Sequence, residues 1–216
     1  MNKQKLNLYW TNYLLIEKEF RESLIYVSLD EINYNTFSSS YLKLMLQLGS
    51  EIDNVFQLLS ILNNQNDNDK IKKYYDMVNL HISTLFNQEV KVFNNEISLL
   101  KPFENWNENE APEWWRSYQE IKHNRTEIKN GIANYKKANL KNILNCLSAL
   151  FLLLMYTLKK INDDDMKKET YEVFDRLSKL FYIDDGNWKK EQFTNNIKVR
   201  MEGETLYLDS VFPEGV

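Results

Sequence analysis

Hydrophobic side chains recur every three or four residues along most of the chain, which is the spacing of one face of an α-helix. Polar segments interrupt this pattern at 63–69, at 102–111 and at Asn130–Gly131. Ser38–Ser40 offer candidates for an N-cap, and Pro112 fits the first turn of a helix. The pattern predicts helices over roughly residues 4–29, 41–59, 71–97, 112–125 and 134–160.

The end of the chain is predicted to combine a helix with an extended segment. Asp163–Asp165 suit the positive N-terminus of a helix that ends near Tyr182. Ile197–Ser210 alternates polar and apolar residues, which indicates a short β-hairpin or an extended tail. With only 5 Gly and 3 Pro among 216 residues, the chain is predicted to be an all-α bundle of four or five long helices. We expect residues 1–160 to form the bundle and residues 161–216 to be an extension packed on the same domain.

The composition says more about the cellular location of the protein than about the reaction it performs. A net charge of -4 argues against a protein that coats nucleic acid generally, although it leaves room for a local basic groove. The single Cys146 lies in an apolar run, which excludes a disulfide framework and favours a reducing, cytoplasmic location. The first ten residues have no signal-peptide core, and the most apolar stretch, Leu147–Leu158, is too short to span a bilayer. We therefore expect no membrane association.

Several kinds of chemistry find no support in the sequence. It contains no Gly-rich phosphate loop, no Cys and His at metal-binding intervals and no serine nucleophile elbow. Asp163–Asp165 could attract a cation, but a run of charge at a helix N-terminus explains these residues better. We therefore expect neither a metal nor a cofactor.

One pair of residues does suggest a reaction. Arg116 and His123 are seven residues apart on a predicted helix, so both project from the same face. A permanent cation beside a side chain that titrates near neutral pH suits chemistry at a phosphodiester. Trp114, Tyr118 and Ile121 form the apolar stripe that would anchor this helix in the core. The alternative is a surface arginine and a partly exposed histidine on an ordinary amphipathic helix.

The segment WWRSYQEIKHNR, which contains this pair, resembles the signature of HEPN domains, an all-helical superfamily whose nuclease members carry R-x(4–6)-H. The spacer here is SYQEIK, six residues long. Two further stretches, 37–59 and Ala138–Tyr156, are similar to the helices that flank the motif in a bacterial group of HEPN-like proteins. The resemblance covers roughly residues 5–160 and implies a HEPN-like bundle. Active members commonly have Asn, Asp or His after the arginine, where this chain has Ser117.

The resemblance implies a metal-independent endoribonuclease, a homodimer that acts as a toxin or in antiviral defence. Arg116 would then bind the scissile phosphate, and His123 would be general acid or base while the ribose 2′-OH attacks. The product would be a 2′,3′-cyclic phosphate. The alternative is a non-catalytic HEPN module that binds a partner protein or a nucleotide as a sensor or assembly subunit. A plain structural bundle is a third interpretation, and an antitoxin or another regulatory partner is possible.

Other residues receive supporting roles. Glu51 borders the apolar stripe of the second predicted helix, where a carboxylate needs a partner. The resembling sequences are acidic there, so Glu51 is predicted to orient Arg116 or His123; the alternative is an ion pair with any Lys or Arg. The residues predicted to support the site or bind substrate are Glu51, Ser117, Lys122, Asn124 and Arg125.

Basic and aromatic residues near the motif suggest RNA as the partner. The cations follow one another closely in an acidic chain, as an RNA-backbone track or as a solvated helix face: Lys122, Arg125, Lys129, Lys136, Lys137 and Lys141. Trp115 and Tyr118 could stack on bases, although core packing is the favoured interpretation for Tyr118.

Overall fold

A computed structural model describes residues 3–64, 71–93, 97, 99–129, 131–164, 173–183, 197–202 and 205–210. The described residues form five α-helices: α1 Lys3–Ser23, α2 Ser39–Leu62, α3 Ile71–His81, α4 Glu113–Asn124 and α5 Leu140–Asp164. Six short strands accompany them: β1 Lys91–Val92, β2 Ile128–Lys129, β3 Ile132–Ala133, β4 Phe181–Tyr182, β5 Ile197–Glu202 and β6 Thr205–Ser210. The fold is mostly helical, which confirms the predicted all-α class in its coarse form.

The centre of the fold is the pair α2 and α5. Leucines on α5 are buried around almost the whole helix, so α5 is a central core helix with neighbours on several sides. Cys146 is fully buried there, 3.6 Å from the sulfur of Met45 on α2, and burial raises the pKa of its thiol well above the ordinary value. By length and composition alone, Leu140–Asp163 could cross a membrane, and 89% of its most apolar window is buried inside the fold.

The second and fourth predicted helices are confirmed. The hydroxyl of Ser38 accepts a hydrogen bond from the backbone N–H of Tyr41 at 3.0 Å, so Ser38 is the N-cap of α2. Pro112 takes the N-cap position of α4, one residue before the first turn in which it was expected. Both helices therefore begin where the sequence places a residue suited to a helix end.

Three predicted helix boundaries are wrong. The first helix ends at Ser23 instead of near residue 29, and the Ser23 hydroxyl donates back to the carbonyl of Phe20 at 2.6 Å. The third ends at His81 instead of near residue 97, because the chain then turns and becomes extended at β1. The fifth starts at Leu140 instead of Asn134, after a short 3-10 turn over Asn134–Lys137.

The helix predicted from Asp163–Asp165 to Tyr182 is also wrong. Helix α5 continues through Asp164, and residues 165–172 lie outside the described residues. Phe181–Tyr182 is strand β4, which pairs antiparallel with β1. The predicted C-terminal hairpin is confirmed, with β5 and β6 antiparallel and Ile197 opposite Ser210.

Residues 173–183 pack on α1. The rings of Trp10 and Phe174 stack with centroids 4.0 Å apart, and the Trp10 indole N–H donates to the carbonyl of Arg176 at 2.7 Å. The carboxylate of Glu17, only 2% exposed, accepts hydrogen bonds from Tyr13 at 2.7 Å, from the Lys179 N–H at 2.8 Å and from the Ser178 hydroxyl. A buried charge with three donors thus joins this segment to the N-terminal helix.

Candidate functional site

Helix α4 has one buried face and one exposed face. Trp114, Tyr118 and Ile121 are 3% exposed or less, which confirms the predicted core stripe, and Trp115 is buried beside them. The indole N–H of Trp114 donates to the carbonyl of Pro102 at 2.6 Å. Stacking on bases is therefore excluded for Trp115 and Tyr118 in this conformation. The exposed face carries acids and bases in alternation: Glu113, Arg116, Glu120 and His123.

Arg116 lies where two depressions of the surface meet. The larger, here called the α4 groove, has a volume of about 660 Å³ and runs between α4, the turn at 134–137 and the loop before α2. The residues of the groove used below are Phe37, Glu113, Arg116, Ser117, Glu120, Lys136, Lys137 and Asn142. The smaller depression, of about 320 Å³, shares Glu113, Arg116 and Asn142 with it. Both depressions are therefore accessible to the Arg116 guanidinium.

The guanidinium of Arg116 is ion-paired with the carboxylate of Glu110, in the loop before α4. About half of each side chain is exposed, 52% for Arg116 and 54% for Glu110. An exposed pair of this kind contributes about 0–1 kcal/mol, so an incoming anion can exchange with Glu110 at little cost. Arg116 is thus held near the groove without being buried.

His123 is exposed on the same face of α4, near its C-terminal end. Seven residues of helix separate it from Arg116 by roughly 10 Å along the axis. Within the described residues, neither a hydrogen bond nor an ion pair engages its imidazole, and it is not part of the α4 groove wall. The predicted shared face is therefore present, but Arg116 and His123 are not in contact within one protomer.

Glu120 lies between Arg116 and His123 on this face. Its carboxylate pairs with Lys137 and, at 3.2 Å, with Lys129. The hydrogen bond from Lys137 is the main reason why the pKa of Glu120 lies below its ordinary value. The carboxylate in the middle of this face is thus neutralised by two lysines.

Ser117 is buried and supports the site from below. Its hydroxyl accepts a hydrogen bond from the amide of Asn142 at 3.2 Å, and the same amide donates to the Lys137 carbonyl at 2.8 Å. Asn142 on α5 therefore fixes both α4 and the turn that carries Lys136 and Lys137. Asn142 was not predicted from the sequence, although its spacing of four residues to the buried Cys146 places it on an inward face of α5.

The prediction that Glu51 orients the motif is wrong in this structure. Its carboxylate accepts a hydrogen bond from Asn12 of α1 at 3.4 Å, and burial raises its pKa above the ordinary value. Gly49, two residues earlier, faces Tyr118 of α4. Two residues turn an α-helix by about 200°, so Glu51 points away from α4.

The remaining supporting residues lie at the end of α4 and outside the groove wall. The ammonium of Lys122 stands 5.5 Å from the centroid of the Tyr118 ring. Asn124 and Arg125 have exposed side chains, and their backbone carbonyls accept hydrogen bonds from Asn134 at 2.9 Å and Tyr135 at 3.0 Å. These contacts place the turn at 134–137 against the end of α4.

Three of the six cations in the predicted basic track are ion-paired with carboxylates. Lys141 pairs with Glu113 at 2.9 Å, and Lys129 and Lys137 both pair with Glu120. The wall of the α4 groove combines the cations Arg116, Lys136 and Lys137 with the two carboxylates Glu113 and Glu120. The groove is therefore only weakly basic.

Comparisons with protein families, with curated protein sequences and with solved structures found no match to this chain. Among the residues that the structure describes, no group of three or more His, Cys, Asp or Glu is placed to hold a metal ion. The chemical capacity of the site therefore rests on its own geometry: an exchangeable guanidinium, an exposed imidazole and a groove large enough for a ligand.

Proposed function

We propose that this protein is a metal-independent endoribonuclease of HEPN type that cuts RNA with Arg116 and His123. The observation that carries the proposal is their common placement on the exposed face of α4, with Arg116 at a groove and His123 open to solvent. The HEPN resemblance of the same segment adds the reaction class. A cytoplasmic role in antiviral defence, or as a toxin restrained by an antitoxin or another regulatory protein, belongs to the same proposal.

The reaction needs no external nucleophile. The ribose 2′-OH attacks the adjacent phosphorus and loses its proton, the bond from phosphorus to the 5′-oxygen breaks, and that oxygen gains a proton. His123 would exchange one of these protons, because an imidazole titrates near working pH. Arg116 would hold the non-bridging oxygens of the phosphate with two parallel hydrogen bonds. The products would be a 2′,3′-cyclic phosphate and a 5′-hydroxyl.

A homodimer would bring the two residues together. Side chains on an α-helix tilt toward its N-terminus, so Arg116 leans toward Glu110 and away from His123. Two α4 helices placed antiparallel across a two-fold axis would set Arg116 beside the partner's His123. The proposed active site is therefore shared between two protomers, each with its own groove.

The test is cleavage of total RNA in EDTA by the wild-type protein and by the variants His123→Ala and Arg116→Ala. We expect both variants to lose cleavage by at least a hundredfold, the usual scale for one acid–base or charge-stabilising residue. His81→Ala is the matched control, because it removes the chain's other histidine, at the end of α3. Ends carrying 2′,3′-cyclic phosphate support the mechanism, and cleavage that survives in His123→Ala contradicts it.

A second function, a non-catalytic binding module, is favoured by a different observation. Glu110 is ion-paired with the guanidinium of Arg116, and the carboxylate of Glu120 lies between Arg116 and His123. This arrangement is the one expected for a surface that binds a ligand without cutting it. Under this alternative the folded dimer leaves RNA intact in EDTA and in Mg²⁺. A mononucleotide would then bind the wild-type protein and bind Arg116→Ala at least tenfold more weakly in a calorimetric titration.

A further inference from the structure

Two aromatic side chains are exposed beside the α4 groove. Phe37 is 43% exposed and Tyr135 is 38% exposed, and their rings meet edge to face with centroids 5.9 Å apart. Phe37 forms part of the groove wall, and Tyr135 stands in the turn whose Lys136 and Lys137 line the same groove. Large aromatic rings are usually buried, so an exposed pair at a groove requires an explanation.

The backbone holds this pair in place. Phe37 forms an isolated β-bridge with Asn139, and the N–H of Leu140 donates to the carbonyl of Thr36 at 2.9 Å. The N–H of Tyr135 donates to the carbonyl of Arg125 at the end of α4. The backbone that carries each ring is therefore held relative to the helix with Arg116, as a preformed binding surface requires.

Cations accompany the rings. The ammonium of Lys136 lies 5.5 Å from the centroid of the Phe37 ring, and Lys137 and Arg116 line the same groove. Aromatic faces interleaved with basic side chains are the combination that binds single-stranded nucleic acid, because bases stack on the rings while cations meet the phosphates. An apolar peptide would gain nothing from these cations, whereas a nucleotide uses both components.

We infer that Phe37 and Tyr135 form a stacking site for one unpaired base of the RNA, next to the phosphate that Arg116 holds; this rests on the proposed function. The base lies against the aromatic pair, and Lys136 moves from the ring to the neighbouring phosphate. A base inside a duplex has both faces covered by its neighbours, so the site selects unpaired RNA. Trp115 and Tyr118 are buried and do not compete for this role.

The test uses a short, fluorescein-labelled RNA in which every 2′-OH is methylated, so that the proposed reaction cannot cut it. Fluorescence anisotropy gives its affinity for the wild-type protein and for Phe37→Ala and Phe37→Leu. We expect both variants to bind roughly 5- to 100-fold more weakly, the usual loss for one stacked base, since leucine keeps the apolar volume but has no π-face. We expect Phe37→Tyr, which keeps an aromatic ring, to bind the RNA with the affinity of the wild type.

Tyr26→Leu is the matched control, since Tyr26 is 87% exposed and stands in the turn after α1. We expect wild-type affinity from it, and we expect the pre-annealed duplex of the same sequence to bind at least tenfold more weakly than the single strand. Wild-type affinity in Phe37→Leu would overturn the inference. Equal affinity for duplex and single strand would overturn it as well.

Failure of the stacking site is distinguishable from failure of the proposed nuclease. Binding of the methylated RNA that depends on Phe37, from a protein that cuts no RNA, keeps the stacking site and removes the nuclease. Cleavage of unmodified RNA at the wild-type rate by Phe37→Leu keeps the nuclease and removes the stacking site.

Discussion

The ring of Tyr118 occupies the space where a side chain on Gly49 would begin. A Cβ built on Gly49 would lie 2.3 Å from both Cδ2 and Cε2 of that ring. Helices α2 and α4 therefore approach each other closely at this point. The buried face of α4 can pack here because Gly49 of α2 has no side chain.

Gly49→Ala is expected to destabilise the protein in spite of the better helix propensity of alanine. The new methyl group forces the Tyr118 ring to move, and overpacking of this kind costs about 1–3 kcal/mol. Urea unfolding followed by circular dichroism measures the loss. Ser50→Ala, at an exposed position of the same helix, should change the free energy of unfolding by less than about 0.5 kcal/mol. A Gly49→Ala protein as stable as the wild type would contradict the close approach.

Glu110→Gln is expected to increase the affinity for RNA. The substitution removes the carboxylate that competes with phosphate for Arg116, and an exposed ion pair of about 0.2–1 kcal/mol corresponds to a gain of up to about fivefold. Filter binding of the methylated RNA at low and high salt measures this gain. Glu108→Gln makes the same change of net charge in the same loop, at an exposed residue. An identical gain in both variants would mean that net charge alone, and not Arg116, is responsible.

Glu17→Ala is expected to lower the free energy of unfolding by roughly 2–5 kcal/mol, because three donors lose a buried, charged acceptor. Tyr13→Phe removes one of these donors and should cost roughly 1–2 kcal/mol. Glu22→Ala is the control, because the side chain of Glu22 is 61% exposed and its ion pair with Lys18, at 3.8 Å, lies on the surface. Denaturant unfolding that does not separate Glu17→Ala from Glu22→Ala would refute the role of this network.

The pair of Glu120 with Lys137 predicts a dependence of stability on pH. A carboxylate whose pKa is lowered by folding contributes stability above its unfolded pKa and loses it as the pH falls through the folded pKa. The free energy of unfolding of the wild type should therefore exceed that of Glu120→Gln by less than about 1 kcal/mol at neutral pH. This difference should vanish below about pH 4. Thermal unfolding from neutral to acid pH measures it. A constant difference across that range would be inconsistent with the ion pair.

Local information in the sequence was sufficient for much of the helical framework. A capping serine and an apolar period identified α2, and three aromatic or branched residues identified the buried face of α4, because these signals lie within a few turns of one helix. Strand β4 could not be found this way, because Phe181 is extended through its pairing with Val92, far away in the chain. The acidic run Asp163–Asp165, from which a helix was predicted there, carries no information about a distant partner.

For the candidate site, too, the sequence predicted what local helix geometry decides and did not predict contacts between distant segments. Spacing placed Arg116 and His123 on one exposed face, since that follows from helix geometry alone. It did not reveal that Glu110 would engage Arg116, because a loop conformation decides that contact. Glu51 was assigned to the motif because the resembling sequences are acidic there. The period of its own helix shows only that Glu51 borders the apolar stripe, and not which neighbouring helix it meets.

The network around Glu17 also sets an order for folding during synthesis. Helix α1 is synthesised before residues 173–183, yet two of the three donors to its buried carboxylate come from Ser178 and Lys179. Until residues 174–179 emerge, Glu17 lacks these two donors and Trp10 lacks the ring of Phe174. Helix α1 therefore completes its packing only after residues 173–183 have been made, and a nascent chain interrupted before Phe174 leaves the Trp10 ring without its stacking partner, a surface that chaperones can bind.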